Sequence, residues 1–307
     1  MATAGLVVVD KPAGLTSHDV VARLRRLIGT RRVGHAGTLD PMATGVLVAG
    51  IDRGTKLLGH LAGGDKSYRA TIRLGQATTT DDAEGDVLGA DELGADEAGG
   101  ASADDVDDAR IRALLNGVVG EFDQVPSSVS AVKVDGRRAY ARVRAGETVE
   151  LAARRVSVAR LDLLAVRRPA AGLLDVDVDL DCSSGTYVRA IARDLGAELK
   201  VGGHLTALRR TRVGVFDLGH AATLEALAEA GASDADPVRI GLDAAVAMAF
   251  DRRDVDGEQA RVLGHGGALE PWGRPGPYGV FGPDGRVIAL MAERDGAARP
   301  VVVLRPA

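Results

Sequence analysis

The first apolar run of the chain, "GLVVVD" at 5–10, is closed by an acid and has the length and β-branched content of a buried strand. From Thr16 the period changes. In "TSHDVVARLRRLIG" the apolar residues Val20, Val21, Leu24, Leu27 and Ile28 recur at helical spacing, with Asp19 in the first turn and Thr16 or Ser17 as N-cap. "TGVLVAGI" (44–51) predicts a strand, "TKLLGHLA" (55–62) a short helix and "SYRATIRLG" (67–75) an alternating strand. Further on, "ARIRALLNGVVG" reads as a helix, "SSVSAVKV" as a strand, "RRAYARVRAG" as a helix and "VSVARLDLLAV" as a strand. "LLDVDVDLDCS" (173–183) alternates apolar and acidic residues, predicting a strand with one wet face. "SGTYVRAIARDLGAEL" reads as a helix capped by Ser184 or Thr186, and "HLTALRRTRVGVFDL" as a returning strand. Strands outnumber helices without strict βαβ alternation, which favours an α+β fold on a mixed sheet. A composition break at "EAGASDADP" (229–237) divides residues 1–237 from a small β-rich module at 238–307, where "GRPGPYGVFGPDGRV" carries hairpin signals.

Composition sharpens this picture in three places. No apolar run approaches the ~20 residues that span a bilayer, and no basic segment precedes the first apolar run, so that run is a strand rather than a leader. The single cysteine, Cys182, excludes an internal disulfide and a multi-cysteine zinc site, and cytoplasm is the expected compartment. The net charge of −5 is unevenly placed: residues 81–108 hold 12 of the 43 acids and no base. Outside that low-complexity stretch, expected to be a mobile surface loop, 38 bases face 31 acids, and such a body remains compatible with phosphate binding.

The familiar cofactor patterns are missing. The six histidines lack ligand spacing, and Asp175, Asp177 and Asp179 form a period-two row that solvent exposure explains better than a metal. No phosphate-binding glycine loop or nucleophile elbow is present, so neither metal nor organic cofactor is expected. What remains is "RRVGHAGTLDPMATGVLVAG" (31–50), with one carboxylate, Asp40, among glycines and directly before a proline. An Asp-Pro turn could be structural. A carboxylate held in a cleft could equally act as nucleophile, base or electrostatic clamp, given a cation to keep it ionised and an aromatic face to hold a ring. Aromatic residues make up only 3% of the chain, so Tyr68 and Tyr187 carry weight, and Arg189 supplies a cation in a helix's opening turn.

These residues lie in an ordered series: "VVVDKPAGLTSHDVV" (7–21), "RRVGHAGTLDPMATGVLVAG", "KSYRATIRLGQATTTDDAEG" (66–85), "VPSSVSAVKVDGRRAYARVRAG" (125–146), "DCSSGTYVRAIARDLG" (181–196) and "GGHLTALRRTRVGVF" (202–216). The series resembles the TruB family, bacterial tRNA pseudouridine synthases that act on uridine 55 in the TΨC loop, over most of residues 5–216. The resemblance implies a mixed, mostly antiparallel catalytic sheet and a PUA-like C-terminal module. It implies an isomerase that needs no cofactor, a flipped-out base and the TΨC arm of tRNA as partner. No protein partner is implied, and a monomer is the default expectation.

Residue by residue, the resemblance makes Asp40 the catalytic carboxylate, attacking the sugar, adding to the ring or deprotonating the sugar. Tyr68 would stack on the target base, and Arg189 would pair with Asp40 and keep it ionised. Lys11, with Pro12, would support the pocket floor. His35 would stack on a displaced base or bond RNA, and Asp82 would contact RNA or groups of the catalytic loop. Tyr187 would buttress the pocket and Leu208 would line it, while Arg209 and Arg210 would contact phosphates. Plain structural alternatives stand beside several of these: core packing for Tyr68 and Leu208, a satisfied structural histidine for His35, and surface charge for the arginines. Two rival functions stand against the synthase: an RNA-binding or RNA-folding protein without turnover, and an unrelated hydrolase using Asp40 as nucleophile.

Overall fold

The computed structural model describes residues 3–89, 102–127, 133–134, 137–138, 151–233 and 235–306. It falls into two compact units, one of residues 1–41, 45–64 and 213–307, the other of 42–44 and 65–212.

In the first unit, β1 (Gly5–Lys11) lies antiparallel to β3 (Thr44–Ile51), with Gly5 opposite Ile51 and Lys11 opposite Gly45. β2 (Val33–Ala36) pairs with β3, placing His35 opposite Ala49. Both faces of β1 and β3 are covered, which is why their apolar runs are continuous rather than alternating. Between β1 and β2, α1 (Ser17–Ile28) buries Val20, Val21 and Leu24. Of the two cap candidates Thr16 is the N-cap: its side chain accepts from the Asp19 N–H, and Asp19 bonds back in a capping box. The short helix expected at 55–62 begins earlier, as a 3₁₀ turn Asp52–Leu57 running into α2 (Leu58–Leu61). Gly54 is required there, because a Cβ would lie 2.0 Å from the Gly5 carbonyl oxygen.

The C-terminal module is β-rich, as its hairpin signals predict. Its four strands run in the order Arg252–Asp254, Tyr278–Phe281, Val287–Arg294, Ala297–Val303. Tyr278, Val280, Ala289, Met291 and Ala298 enclose one core with Leu263. Phe281, Val287, Leu290 and Leu304 share another with Leu6, Val46 and Val48, so apolar burial ties the module to β1 and β3.

The second unit carries strands in the order β10 (Gly203–Val213), β4 (Lys66–Leu74), β9 (Leu173–Cys182), β8 (Arg154–Ala170), β5 (Gly120–Gln124), whose last three pairings are antiparallel. Helices α3 (Asp108–Val118) and α4 (Val188–Leu199) belong to this unit, and α4 buries an apolar face built on Val188, Ile191, Leu195 and Leu199. The fold is thus α+β on mostly antiparallel pairing.

Four local expectations need correction. The acidic face of β9 is not simply wet. Register sets Arg73 opposite Asp175 and Thr71 opposite Asp177 on one side, and Arg167 opposite Asp175 on the other, so the row becomes an ion-pair ladder. Arg73 Nε donates to Asp175 at 2.8 Å and Arg167 Nη2 to Asp177 at 2.7 Å, while Asp175 is buried. Second, α4 has neither Ser184 nor Thr186 as N-cap. Tyr187 takes that place without a side-chain cap, because the Gln124 amide satisfies its backbone. Third, the acidic stretch has structured ends: Asp82 is buried, and Asp107 caps α3 through the Arg110 N–H. Its middle, 90–101, lies outside the described residues. Fourth, Arg137–Arg138 (β7) pairs as strand with Lys133–Val134 (β6) where a helix was expected; the rest of that helix and most of the preceding strand lie outside the described residues.

Candidate active site

The expected site residues fall into two groups, one in each unit. Asp40, with Lys11 and His35, belongs to the first. Lys11 ends β1 and is fully buried. A buried ammonium is costly unless its donors are satisfied. Here Nζ donates to three carbonyl oxygens: Pro12 at 2.9 Å, Leu15 at 2.6 Å and Pro41 at 3.1 Å. Pro41 O also accepts from the Gly14 N–H at 2.8 Å, and Gly14 adopts φ +80°, a turn conformation suited to glycine. The residue after Asp40 is therefore fixed by two donors from the K-P-x-G loop.

The residue before Asp40 is fixed as well. Leu39 is buried, and the Ser17 hydroxyl both accepts from its N–H at 2.9 Å and donates to its carbonyl at 3.1 Å. Asp40 itself is partly exposed, and Pro41 biases its backbone away from the helical region. The glycine and proline of the G-T-L-D-P loop thus carry a carboxylate at a partly open position between two pinned peptides. His35 is partly buried and meets His18 edge to face at 5.6 Å.

The second group surrounds the start of α4. Gln124, at the end of β5, is 2% exposed and clamps Tyr187: its Oε1 accepts the Tyr187 N–H at 2.8 Å, and its Nε2 donates to the Tyr187 carbonyl at 3.1 Å. Two residues on, Arg189 is buried, donating from Nη1 to Thr80 O at 2.9 Å and to Ser127 Oγ at 3.1 Å. Its Nε lies 3.5 Å from Asp82 Oδ2. The Asp82 carboxylate also accepts the Thr80 hydroxyl at 2.5 Å and the Glu84 N–H at 3.1 Å. These partners belong to its own turn and to α4 rather than to the loop of Asp40, and Asp82 is 2% exposed. Beside it, burial pushes the Asp81 carboxyl above the usual carboxylate range, against the opposing pull of Ser127 and of Arg193, whose Nη1 is 3.6 Å away.

Tyr68 stands on β4 opposite Leu180 and is buried, as is Leu208 on β10. Arg209 is partly exposed, donating to the Thr44 hydroxyl at 3.3 Å. Arg210 is 1% exposed, so the phosphate contact expected of it does not suit its place inside the unit. It lies near Lys66, whose ammonium is pushed down by burial and then by the Arg210 charge. Cys182, close by, is pushed up to about 11 by burial.

Reading the sequence for the site missed Ser17, Gln124 and Ser127. Ser17 was in view only as a rival N-cap. Once Thr16 and Asp19 form the cap, its hydroxyl is left for another partner. For Gln124 no local signal exists: it acts on Tyr187 across the fold.

Three family models match successive parts of the chain. A family model described as TruB family pseudouridylate synthase, N-terminal domain, matches residues 25–188. A tRNA pseudouridylate synthase B C-terminal domain matches 189–246, and a tRNA pseudouridine synthase II C-terminal model matches 250–305. The chain is 57% identical over 305 residues to a tRNA pseudouridine synthase B of Rhodococcus jostii, covering 99% of this chain and 95% of that one. A tRNA pseudouridine synthase B of Mycobacteroides abscessus is 55% identical over 307 residues, covering 100% and 98%. In a crystal structure of a Cbf5-Nop10-Gar1 complex, one chain is similar with a TM-score of 0.72 at 23% identity, over 98% of this chain and 85% of that one. That likeness is one of fold.

Proposed function

Since the chain belongs to the TruB family of pseudouridylate synthases, we propose that it converts uridine 55, in the TΨC loop of tRNA, to pseudouridine, with Asp40 as the catalytic carboxylate. The reaction is an isomerisation: the bond from the sugar C1′ to ring N1 breaks, the ring turns, and a bond from C1′ to ring C5 forms. The C5 proton leaves and N1 gains one, so atoms and charge balance without a redox partner. The base must first leave the stacked loop, at a cost of a few kcal/mol. Basic side chains on the RNA backbone, Arg209 among them, offset that cost.

In this reading Asp40 starts the cleavage, Tyr68 stacks on the flipped uracil, and Arg189 keeps Asp40 ionised and aimed. Tyr187 and Leu208 wall the pocket, His35 faces a displaced base, and Lys11 holds the loop rather than the ligand. Residues 1–237 form the catalytic part and 238–307 the PUA-like module of a cytoplasmic monomer. Among the described residues no helix is long and apolar enough to cross a membrane.

The observation that carries the reading is the pinning of Leu39 and Pro41, which fixes the backbone on both sides of Asp40. Such preorganisation is what a reacting carboxylate requires. The test is to map pseudouridine chemically in a tRNA transcript after incubation. One modified position, at 55, with no product from a transcript bearing cytidine there, is the expected result. Modification elsewhere contradicts the site assignment, and tight binding without product favours an RNA-folding protein instead.

A further inference from the structure

We propose that Ser17 is a positioning residue for Asp40, acting through the Leu39–Asp40 peptide; this rests on the reading of Asp40 as the catalytic carboxylate. The Leu39 carbonyl that accepts the Ser17 hydroxyl belongs to the peptide unit that carries the Asp40 nitrogen. The Leu39 N–H that donates to the same hydroxyl fixes the preceding peptide. One oxygen therefore holds two successive peptide planes, and the backbone leading into Asp40 has little freedom left. On the far side the ring of Pro41, with its carbonyl held by Lys11 and Gly14, does the corresponding work.

The helix that Ser17 opens has no need of this hydroxyl. Its capping box is complete in Thr16 and Asp19, whose groups bond reciprocally at 2.9 and 3.0 Å. Ser17 is 1% exposed, so its hydroxyl faces the protein rather than water. A buried hydroxyl aimed at one loop residue, 22 positions away in sequence, sets the place of the neighbouring carboxylate. A shift of about 1 Å in a reacting group costs on the order of 100-fold in rate.

The test compares Ser17→Ala, Ser17→Thr and Thr16→Ala with the wild type in single-turnover tritium release from C5-labelled tRNA, with tRNA affinity and thermal unfolding measured on the same samples. Ser17→Ala is expected to slow the chemical step about 10- to 100-fold with tRNA affinity unchanged, and Ser17→Thr, which keeps the hydroxyl, to recover most of it. Thr16→Ala weakens the same helix end and is expected to lower the melting temperature without slowing release. An unchanged rate in folded Ser17→Ala, or an equal slowing in Thr16→Ala, overturns the proposal. Should Ser17→Ala not fold, Ser17→Cys fills the same volume with a weaker donor and gives the same reading. Asp40→Asn run in parallel separates the two claims: full release by that variant defeats the assignment of Asp40, whatever Ser17 does.

Discussion

Asp40 is the single carboxylate of its loop, whereas Asp82 stands beside Asp81 and Glu84 in a threonine-rich turn, and the hydrogen bonds around the two fall in different places. Around Asp40, the bonds from Ser17, Gly14 and Lys11 end on the peptides of Leu39 and Pro41, and the side chain stands at a partly exposed position. Around Asp82, the bonds end on the carboxylate itself: a threonine hydroxyl, a backbone N–H and the Arg189 guanidinium enclose it. In the first case the structure fixes where an acid is. In the second it uses the acid to fix something else, the turn at 78–86 and the buried arginine beside it. Beside Asp40 these bonds hold the backbone, and at Asp82 they hold the charge.

That contrast can be broken most forcefully at the buried pair. Asp82→Ala leaves Arg189 without this partner in a dry interior, and a loss of about 3–5 kcal/mol in unfolding free energy is expected by denaturant titration. A loss below about 1 kcal/mol would mean that water reaches the pair. Gln124→Ala comes next. It strips two bonds from the Tyr187 backbone, with an expected cost of about 2 kcal/mol, and slows turnover by loosening the turn that presents Arg189. Smaller again is Thr16→Ala, which removes the α1 cap at about 1 kcal/mol.

The weakest effect is expected on the β9 ladder, although its contacts are the most numerous. Arg69 is largely exposed and meets Asp179 at 3.1 Å, so Arg69→Ala is expected to cost under ~1 kcal/mol, and less in high salt. The ladder also sets a pH dependence. Hydrogen bonds from Arg167, opposed by partial burial, hold Asp177 below its ordinary value of 3.8. Its contribution is present above that value and is lost as pH falls through the lower, folded-state value. The stability difference between wild type and Arg167→Ala should therefore be constant near neutrality and shrink in acid; a difference that grows in acid contradicts the pairing.

Elements with one clear period were legible from the sequence. The strands at 5–11, 44–51 and 66–74 and the helix at 17–28 follow from apolar spacing and a cap, because local rules and burial agree there. The Asp row on β9 was legible as a strand but not as a ladder, since its partners Arg73 and Arg167 come from two other strands and only register brings them alongside. Asp40 was conspicuous because glycines and a proline isolate it. Its support was not: Lys11 suggested a role only through resemblance, and Ser17 looked like one more helix cap. Gln124 gave no signal, because a glutamine that bonds a backbone 63 residues away has the same local sequence as one in solvent.

The account turns on Asp40, and the most direct measurement is tritium release from tRNA labelled at uridine C5 by wild type and Asp40→Asn, with tRNA affinity determined alongside. Release by the wild type, and none by a variant that binds tRNA equally well, is the predicted result. Release by Asp40→Asn at the wild-type rate would contradict it and leave the pinned loop without a catalytic purpose.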